Sequence, residues 1–252
     1  MNDFNALAQY YDRFVGADYD KIIDFIDQKL KKHFNDASLV CDIGCGSGTV
    51  TLGLLDRGYD MIGIDGSTDM LMEALDKKSQ NPNGERALFL CQQLPEFELY
   101  GTVDCIISTL DTLNYLTDEK ELDRLFYWFR NYLNPGGVLI FDINTLYKYQ
   151  SLLDQHCEFY EDEEVFMAWR SQFDGTLCTH QLSVFELQDD VYLRSDEDQL
   201  QRYYKVEEIC ALLEKYGFNT VSISDDYTDF EPGCETQRLT FLAIKKEENY
   251  DK

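Results

Sequence analysis

The 252 residues are 44% hydrophobic and 14% aromatic, enough to bury a substantial core in one large domain, or in one domain carrying a small insertion, and too apolar for a disordered chain. Against 22 lysines and arginines stand 48 aspartates and glutamates, a net charge of −26, which disfavours long nucleic acids and anionic membrane surfaces as partners. No apolar run has the length to span a bilayer, and residues 1–8 have neither the basic start nor the apolar core of a signal peptide.

From the amino terminus, residues 20–33 carry Ile22, Ile23, Phe25, Ile26 and Leu30 at the spacing of an amphipathic helix. Residues 38–43 read as a short buried strand that runs into glycines, and 49–57 as a helix closed by Gly58. A strand over 60–65, a helix over 69–78 stopped by Asn81-Pro82-Asn83-Gly84, and strands over 87–91 and 103–108 follow. A long helix spans 118–132, Asn134-Pro135-Gly136-Gly137 stops it, and a fifth strand covers 138–142. This alternation predicts a parallel sheet with helices on both faces and right-handed crossovers. After Leu146 the rhythm changes. Residues 164–173, 177–187 and 191–199 read as three strands joined by Asp174-Gly175 and Gln188-Asp189-Asp190 turns, an antiparallel meander. A helix over 206–216 and strands over 220–224 and 238–245 complete the α/β unit. The expected organisation is an α/β domain from residues 1–145 and 202–246, with an inserted β lid over 146–201 lying across the carboxyl edge of the sheet. Residues 247–252 are expected to fray.

The eight cysteines contain no Cys-x-x-Cys pair and no histidine at zinc-ligand spacing, so no metal is expected. They read as small buried hydrophobes of a reducing, cytoplasmic compartment. The basic clusters, such as Lys77-Lys78 and Lys245-Lys246, are short and read as solvated element ends.

The strongest local signal is Val40-Cys41-Asp42-Ile43-Gly44-Cys45-Gly46-Ser47-Gly48-Thr49. A buried strand enters three alternating glycines, whose backbone can approach a ligand, and a helix opens at once with free N–H groups. About 20 residues further on, the second strand ends in Ile64-Asp65-Gly66, where an acid can accept both hydroxyls of a ribose. A pyrophosphate needs positive potential at the helix start, which Asp42 opposes. A nucleoside that carries an ammonium and a sulfonium, S-adenosylmethionine, is favoured over a dinucleotide.

The run Asp42-Ile43-Gly44-Cys45-Gly46-Ser47-Gly48 resembles the first motif of class I S-adenosylmethionine-dependent methyltransferases, and residues 134–142 resemble the segment leading into that family's fifth strand. Tyr10-Tyr11-Asp12, residues 110–116 and Phe141-Asp142-Ile143-Asn144-Thr145 are similar to a bacterial subgroup likened to glycine and sarcosine N-methyltransferases. The resemblance covers nearly the whole chain. It implies a Rossmann-like seven-stranded sheet of order 3-2-1-4-5-7-6 with the last strand antiparallel. It implies that Asp65 holds the ribose, that Gly44 and Gly46 underlie the methionine end, and that the turn after the third strand contacts adenine. Where the family has aspartate in that turn, this chain has Gln92-Gln93-Leu94, and a glutamine carbonyl accepts the same hydrogen bond without charge. The expected donor site is therefore Tyr11, Tyr19, Asp42, Gly44, Cys45, Gly46, Asp65, Gly66, Met70, Gln92, Gln93, Leu94 and Ser108.

Tyr11 and Tyr19 belong to an aromatic amino-terminal segment with Phe4, Tyr10 and Phe14. Their rings either cover the donor, with a cation–π contact to a sulfonium, or staple the first helix to the core. Asp111, Asn114 and Tyr115 follow the fourth strand, and Asp142 and Asn144 follow the fifth, at the sheet edge where ligands collect. Asp111, Tyr115 and Asp142 are the catalytic candidates. Either aspartate would orient an amine or take its proton, while Asp142 has the alternative of capping backbone amides. His33, His156 and His180 show no pairing pattern and read as surface or strand-filling residues. In the meander, Phe166, Trp169, Phe173, Tyr192 and Arg194 are candidates for an acceptor pocket. Arg170 and Arg194 either meet a substrate carboxylate or neutralise nearby acids. The expected activity is methyl transfer to a small molecule, an amine or a carboxylate-bearing metabolite, by a monomer or dimer. The alternatives are methylation of a protein or a tRNA base, for which no Asn-Pro-Pro-Tyr-like motif is present, a non-catalytic S-adenosylmethionine-binding module, and an NAD-dependent reductase.

Overall fold

The structure, a computed structural model, describes residues 8–247, so Phe4 and the tail 248–252 lie outside the described residues. A short helix α1 (Tyr11–Val15) precedes α2 (Tyr19–His33). Asp18 caps α2 by accepting from Lys21 N at 3.1 Å, and Lys31, Lys32 and His33 fill its last turn, where the helix dipole favours cations. Truncating the cap by Asp18→Ala should lower stability by about 1 kcal/mol. Urea unfolding would show this as a lower midpoint at unchanged slope, and an unmoved midpoint would exclude the cap's contribution.

The α/β unit then runs β1 (Leu39–Ile43), α3 (Thr49–Asp56), β2 (Asp60–Asp65), α4 (Thr68–Gln80), β3 (Ala87–Cys91), β4 (Val103–Ser108), α5 (Glu119–Tyr132) and β5 (Leu133–Asn144). A second sheet follows: β6 (His156–Glu161), β7 (Val165–Phe173), β8 (Leu177–Gln188) and β9 (Val191–Arg202). Then α6 (Val206–Lys215), β10 (Phe218–Asp225) and β11 (Arg238–Lys245) return to the first sheet. Its order is β3-β2-β1-β4-β5-β11-β10, with β1 to β5 parallel and β11 antiparallel to both neighbours. This is the 3-2-1-4-5-7-6 order expected above.

Strand periodicity explains why the central strands are continuously apolar. Cys41, Ile43, Ile106, Leu139 and Phe141 face a core that includes Leu125, Phe126 and Phe129 of α5 and Ile209 and Leu213 of α6. The alternate residues Val40, Cys105, Ile107, Val138 and Ile140 face Ile22, Ile26 and Leu30 of α2 and Leu54 and Leu55 of α3. Phe141 stacks on Phe241 of β11 at 4.9 Å, with Phe126 edge-on at 5.6 Å. This rigid centre fixes the carboxyl ends of β1, β4 and β5 side by side. Among the described residues no helix is long and apolar enough to cross a membrane.

Two local readings change. β5 starts at Leu133, not Val138, because the Asn-Pro-Gly-Gly turn is absorbed into the strand at a register shift opposite Val103 and Cys105, with Gly136 at φ +76°. The second sheet has four strands, not three. β6 carries exposed, mixed residues and lacks the apolar alternation that marks a half-buried strand.

Candidate active site

The loop after β1 requires glycine at position 44, where φ is +72° and a Cβ would stand 2.3 Å from Thr112 Cγ2. Gly46, at φ +51°, has nothing within 4 Å of that position, so its backbone faces open space. The amides of Gly44 and Cys45 donate to Ile64 O at 2.8 and 3.0 Å, which ties the loop to the end of β2. There Asp65 accepts from Gly46 N at 2.9 Å and from Ser67 N at 2.8 Å. It is 8% exposed, and burial pushes its pKa up against those backbone bonds. Gln93 donates to Gly66 O at 2.8 Å and packs where a Gly66 side chain would be. Met70 is buried in the first turn of α4, its amide donating to the N-cap Ser67 Oγ at 3.2 Å, and Leu94 is buried in the turn after β3.

Three expected donor residues stand elsewhere. Asp42 does not line the crevice: it is fully buried, with Oδ2 accepting from Thr51 Oγ1 at 2.6 Å and Oδ1 left without a partner. Burial pushes its pKa up to about 7, so the negative lining of the crevice rests on Asp65 more than on Asp42. Ser108 is fully buried and donates to Ile43 O at 2.8 Å, a tie between β4 and β1. Gln92 folds back on Glu98, accepting from its amide at 2.7 Å and donating to its carbonyl at 3.2 Å. Cys45 is buried beneath the loop with its thiol pKa raised by burial.

The amino-terminal segment is latched onto the loop by Asp12, which the sequence marks only as the end of the Tyr10-Tyr11-Asp12 likeness. Asp12 accepts from Tyr19 Oη at 2.7 Å, Ser47 Oγ at 2.9 Å and Thr49 Oγ1 at 3.0 Å, and pairs with Lys77. Tyr19 is thereby tied through Asp12 to the end of the loop and the start of α3. Tyr11 lies further in: its hydroxyl pKa is raised by burial and then by Asp111, with Asp12 and Asp65 also in electrostatic range. It stands between the loop and the edge beyond β4.

At that edge Asp111 has φ +56° and accepts from Arg238 Nη2 at 2.9 Å and Gln201 Nε2 at 2.6 Å. Burial would raise its pKa, but Lys148, Arg238 and these bonds together lower it to about 2. Tyr115 donates to Gln199 Oε1 at 3.0 Å, and burial holds its pKa well above the usual phenol value. Asp142 is corrected as a proton acceptor. It is 0% exposed; its two oxygens accept from the amides of Leu110 and Asp111 at 2.7 Å each, and it also takes the Tyr227 hydroxyl and faces Arg238 Nε at 3.2 Å. No face of that carboxylate is open to a ligand.

Between the edge and the second sheet lies a cavity of about 350 Å³, lined among others by Tyr11, Asp111, Tyr115, Lys148, Trp169 and Arg238. The inward face of the second sheet is apolar at one end, where Val165, Met167, Leu182 and Val184 meet Tyr10, Tyr11 and Phe14, and polar at the other, where Ser171, His180, Gln199 and Gln201 are buried. Of the meander residues expected to line a pocket, Trp169 does. Arg170 and Arg194 lie on the opposite face, where Arg194 pairs with Asp196 at 2.8 Å, and Tyr192 is exposed. Lys148, His180 and Arg238 were not anticipated. Strand order locates Arg238, because the antiparallel last strand pairs it with Asn144 at the end of β5. Among the described residues no cluster of His, Cys, Asp or Glu is placed to hold a metal.

The methyltransferase-domain family matches residues 40–137, the stretch from β1 into β5. A methyltransferase of Bacillus subtilis is 30% identical over 246 residues, covering 96% of this chain and 97% of that one. A glycine/sarcosine N-methyltransferase of Halorhodospira halochloris is 26% identical over 241 residues, 90% of this chain and 81% of that one. The crystal structure of an S-adenosylmethionine-dependent methyltransferase from Clostridium acetobutylicum, 31% identical, superposes with a TM-score of 0.87 over 96% of this chain and 99% of that one. Identity of 30–31% over nearly the full length of both chains, with a superposition over 96% of this one, means that the chain belongs to the S-adenosylmethionine-dependent methyltransferases.

Proposed function

We propose that the chain binds S-adenosylmethionine across the glycine loop and transfers its methyl group to a small molecule held in the cavity beneath the second sheet. The loop fits that donor: Gly46 leaves open space and Asp65 presents its oxygens at the end of β2. A diphosphate would meet the Asp65 carboxylate unfavourably. When bound, the sulfonium supplies an already activated methyl group. The protein's own task is alignment and exclusion of water. Tyr11 separates the donor crevice from the acceptor cavity, and Asp12 holds the segment that carries it. Asp111, ionised throughout the physiological range, is a poor base and orients a cationic or hydrogen-bonding acceptor. Asp142 positions Asp111 through its backbone amide. Residues 146–201 act as the lid of a donor-binding domain formed by 1–145 and 202–246. All eight cysteines are free, which suits a cytoplasmic enzyme.

The observation that carries the small-molecule reading is the cavity itself: about 350 Å³, with the buried polar side chains of Asn144, Ser171, His180 and Gln201 in its wall. The test uses the full chain. Calorimetry with S-adenosylmethionine and with NAD should show binding of the first, and tight NAD binding without a response to the methyl donor would overturn the cofactor reading. A metabolite extract incubated with label in the donor's methyl group should place that label in the low-molecular-weight fraction. Label confined to macromolecules would overturn the acceptor reading.

A further inference from the structure

We propose that the Nε2–H of His180 donates a hydrogen bond to a carboxylate of the methyl acceptor, with Lys148 supplying the charge from the opposite wall. The proposal rests on the cavity being the acceptor site. His180 sits on the inward face of β8 and is 3% exposed, yet its Nε2 is buried with no hydrogen-bond partner. Buried polar atoms without partners are rare, and one that lines a cavity points to a missing ligand group.

The other ring nitrogen has partners that suit one tautomer. Nδ1 lies 2.8 Å from Ser171 Oγ and 3.1 Å from Trp169 Nε1. The indole N–H donates and cannot accept; it is shared between Nδ1 and Ser171 Oγ, also at 3.1 Å, and with Nδ1 accepting from it the proton of the neutral ring resides on Nε2, the tautomer the proposal assigns. The arrangement is built into the sheet: Ser171, His180 and Gln199 occupy one cross-strand row. Burial keeps the ring neutral, with its pKa lowered to about 4. His180 therefore offers a directed donor and no positive charge. The neighbouring Gln201 side chain is close enough to act on the ring, opposing the effect of burial, but it makes no hydrogen bond to Nε2, and its carbonyl already accepts from Tyr149 Oη at 3.0 Å and Asn144 Nδ2 at 3.3 Å.

Lys148, in the helical turn after β5, lines the same cavity and donates to Asn144 Oδ1 at 2.8 Å, which uses one of its three N–H bonds. Arg238 contributes less, because Asp111, Asp142 and Asp226 surround its guanidinium. One ammonium and one neutral N–H, approaching from two walls, match the two oxygens of a carboxylate.

The experiment uses the intact chain saturated with S-adenosylhomocysteine, with acetate as the carboxylate probe and acetamide as its neutral isostere. In protein labelled with 15N-histidine, acetate should move the His180 Nε2 resonance saturably, and acetamide should bind at least about tenfold more weakly. By calorimetry, His180→Phe and Lys148→Met should each weaken acetate about tenfold or more, whereas His180→Gln, whose amide N–H reaches the same point, should stay near the parent value. An Nε2 resonance unmoved by acetate, equal binding of acetate and acetamide, or unchanged acetate affinity in His180→Phe would overturn the assignment. The resonance titration needs no variant, so it decides the matter even where a substitution fails to fold. Binding of S-adenosylhomocysteine, measured first on each preparation, reports separately on the donor site. Its loss in the parent chain would overturn the proposed function rather than the role of His180.

Discussion

The Asp142→Asn protein is expected to be less stable than the parent chain by about 3–5 kcal/mol. Asp142 is fully buried, and each of its oxygens accepts a backbone amide, from Leu110 and Asp111. An asparagine has one carbonyl for two amides and turns its own N–H groups toward the other. The substitution also removes one of the carboxylates around Arg238, which is 16% exposed at its side chain and leans on Asp111, Asp142 and Asp226. Breaking one side of a buried ion pair is costly because the other charge stays desolvated. Leu110 and Asp111 both have φ +56°, a conformation unfavourable for side-chain-bearing residues, and the Asp142 carboxylate is what pins their amides. Chemical denaturation measures the loss. Adding Arg238→Met should return part of it, since the stranded charge goes too, and the double-mutant cycle should show coupling above about 1 kcal/mol. Additive losses, or a single-variant loss below about 1 kcal/mol, would exclude Asp142 as the keystone of this edge.

The division between what the residues announced and what they concealed follows from the range of the forces involved. Short apolar runs that alternate with amphipathic helices, three glycines between a strand and a helix, and an aspartate at the end of β2 are local patterns, and they located the sheet, the loop and Asp65. The strand order came with the family resemblance and stands in the observed sheet. Asp42 and Asp142 were visible as acids beside the site, but whether a carboxylate faces a crevice or sinks beneath it depends on partners such as Thr51 and Tyr227, distant by sequence or across the sheet. The polar floor of the cavity was less visible still. Ser171, His180 and Gln201 alternate along strands with ordinary residues, and their inward row acquires meaning when the second sheet closes over the first. Arg170 and Arg194 misled for the complementary reason: charge attracted attention, while strand parity put both on the outer face. β6 gave no signal because a largely exposed strand has no apolar period to display.

Asp65→Ala should weaken binding of S-adenosylmethionine by about 1.5–3 kcal/mol, roughly 10- to 150-fold in Kd, the usual loss for a hydrogen bond to a charged group. Asp65 ends β2 beside the loop, and two backbone amides, Gly46 and Ser67, aim its oxygens. The same contacts mean that alanine also loosens the loop, so the role in binding must be separated from the role in folding. Asp65→Asn does this: it retains one acceptor oxygen and should fall between alanine and the parent in affinity, with a smaller loss of stability than alanine. Protonation offers a second, independent handle. Burial raises the pKa of Asp65 above the ordinary carboxylate value. The ionised form is the one that accepts from a ribose, so donor affinity should be full above that raised value and decline as pH falls through it, earlier than an exposed aspartate would dictate. The asparagine variant, with nothing to titrate at that position, should lack this acidic decline. Calorimetric titrations across pH, run on the three proteins, measure both effects. An alanine variant that binds the donor as tightly as the parent, or an asparagine variant that keeps the same acidic decline, would remove Asp65 from the donor site.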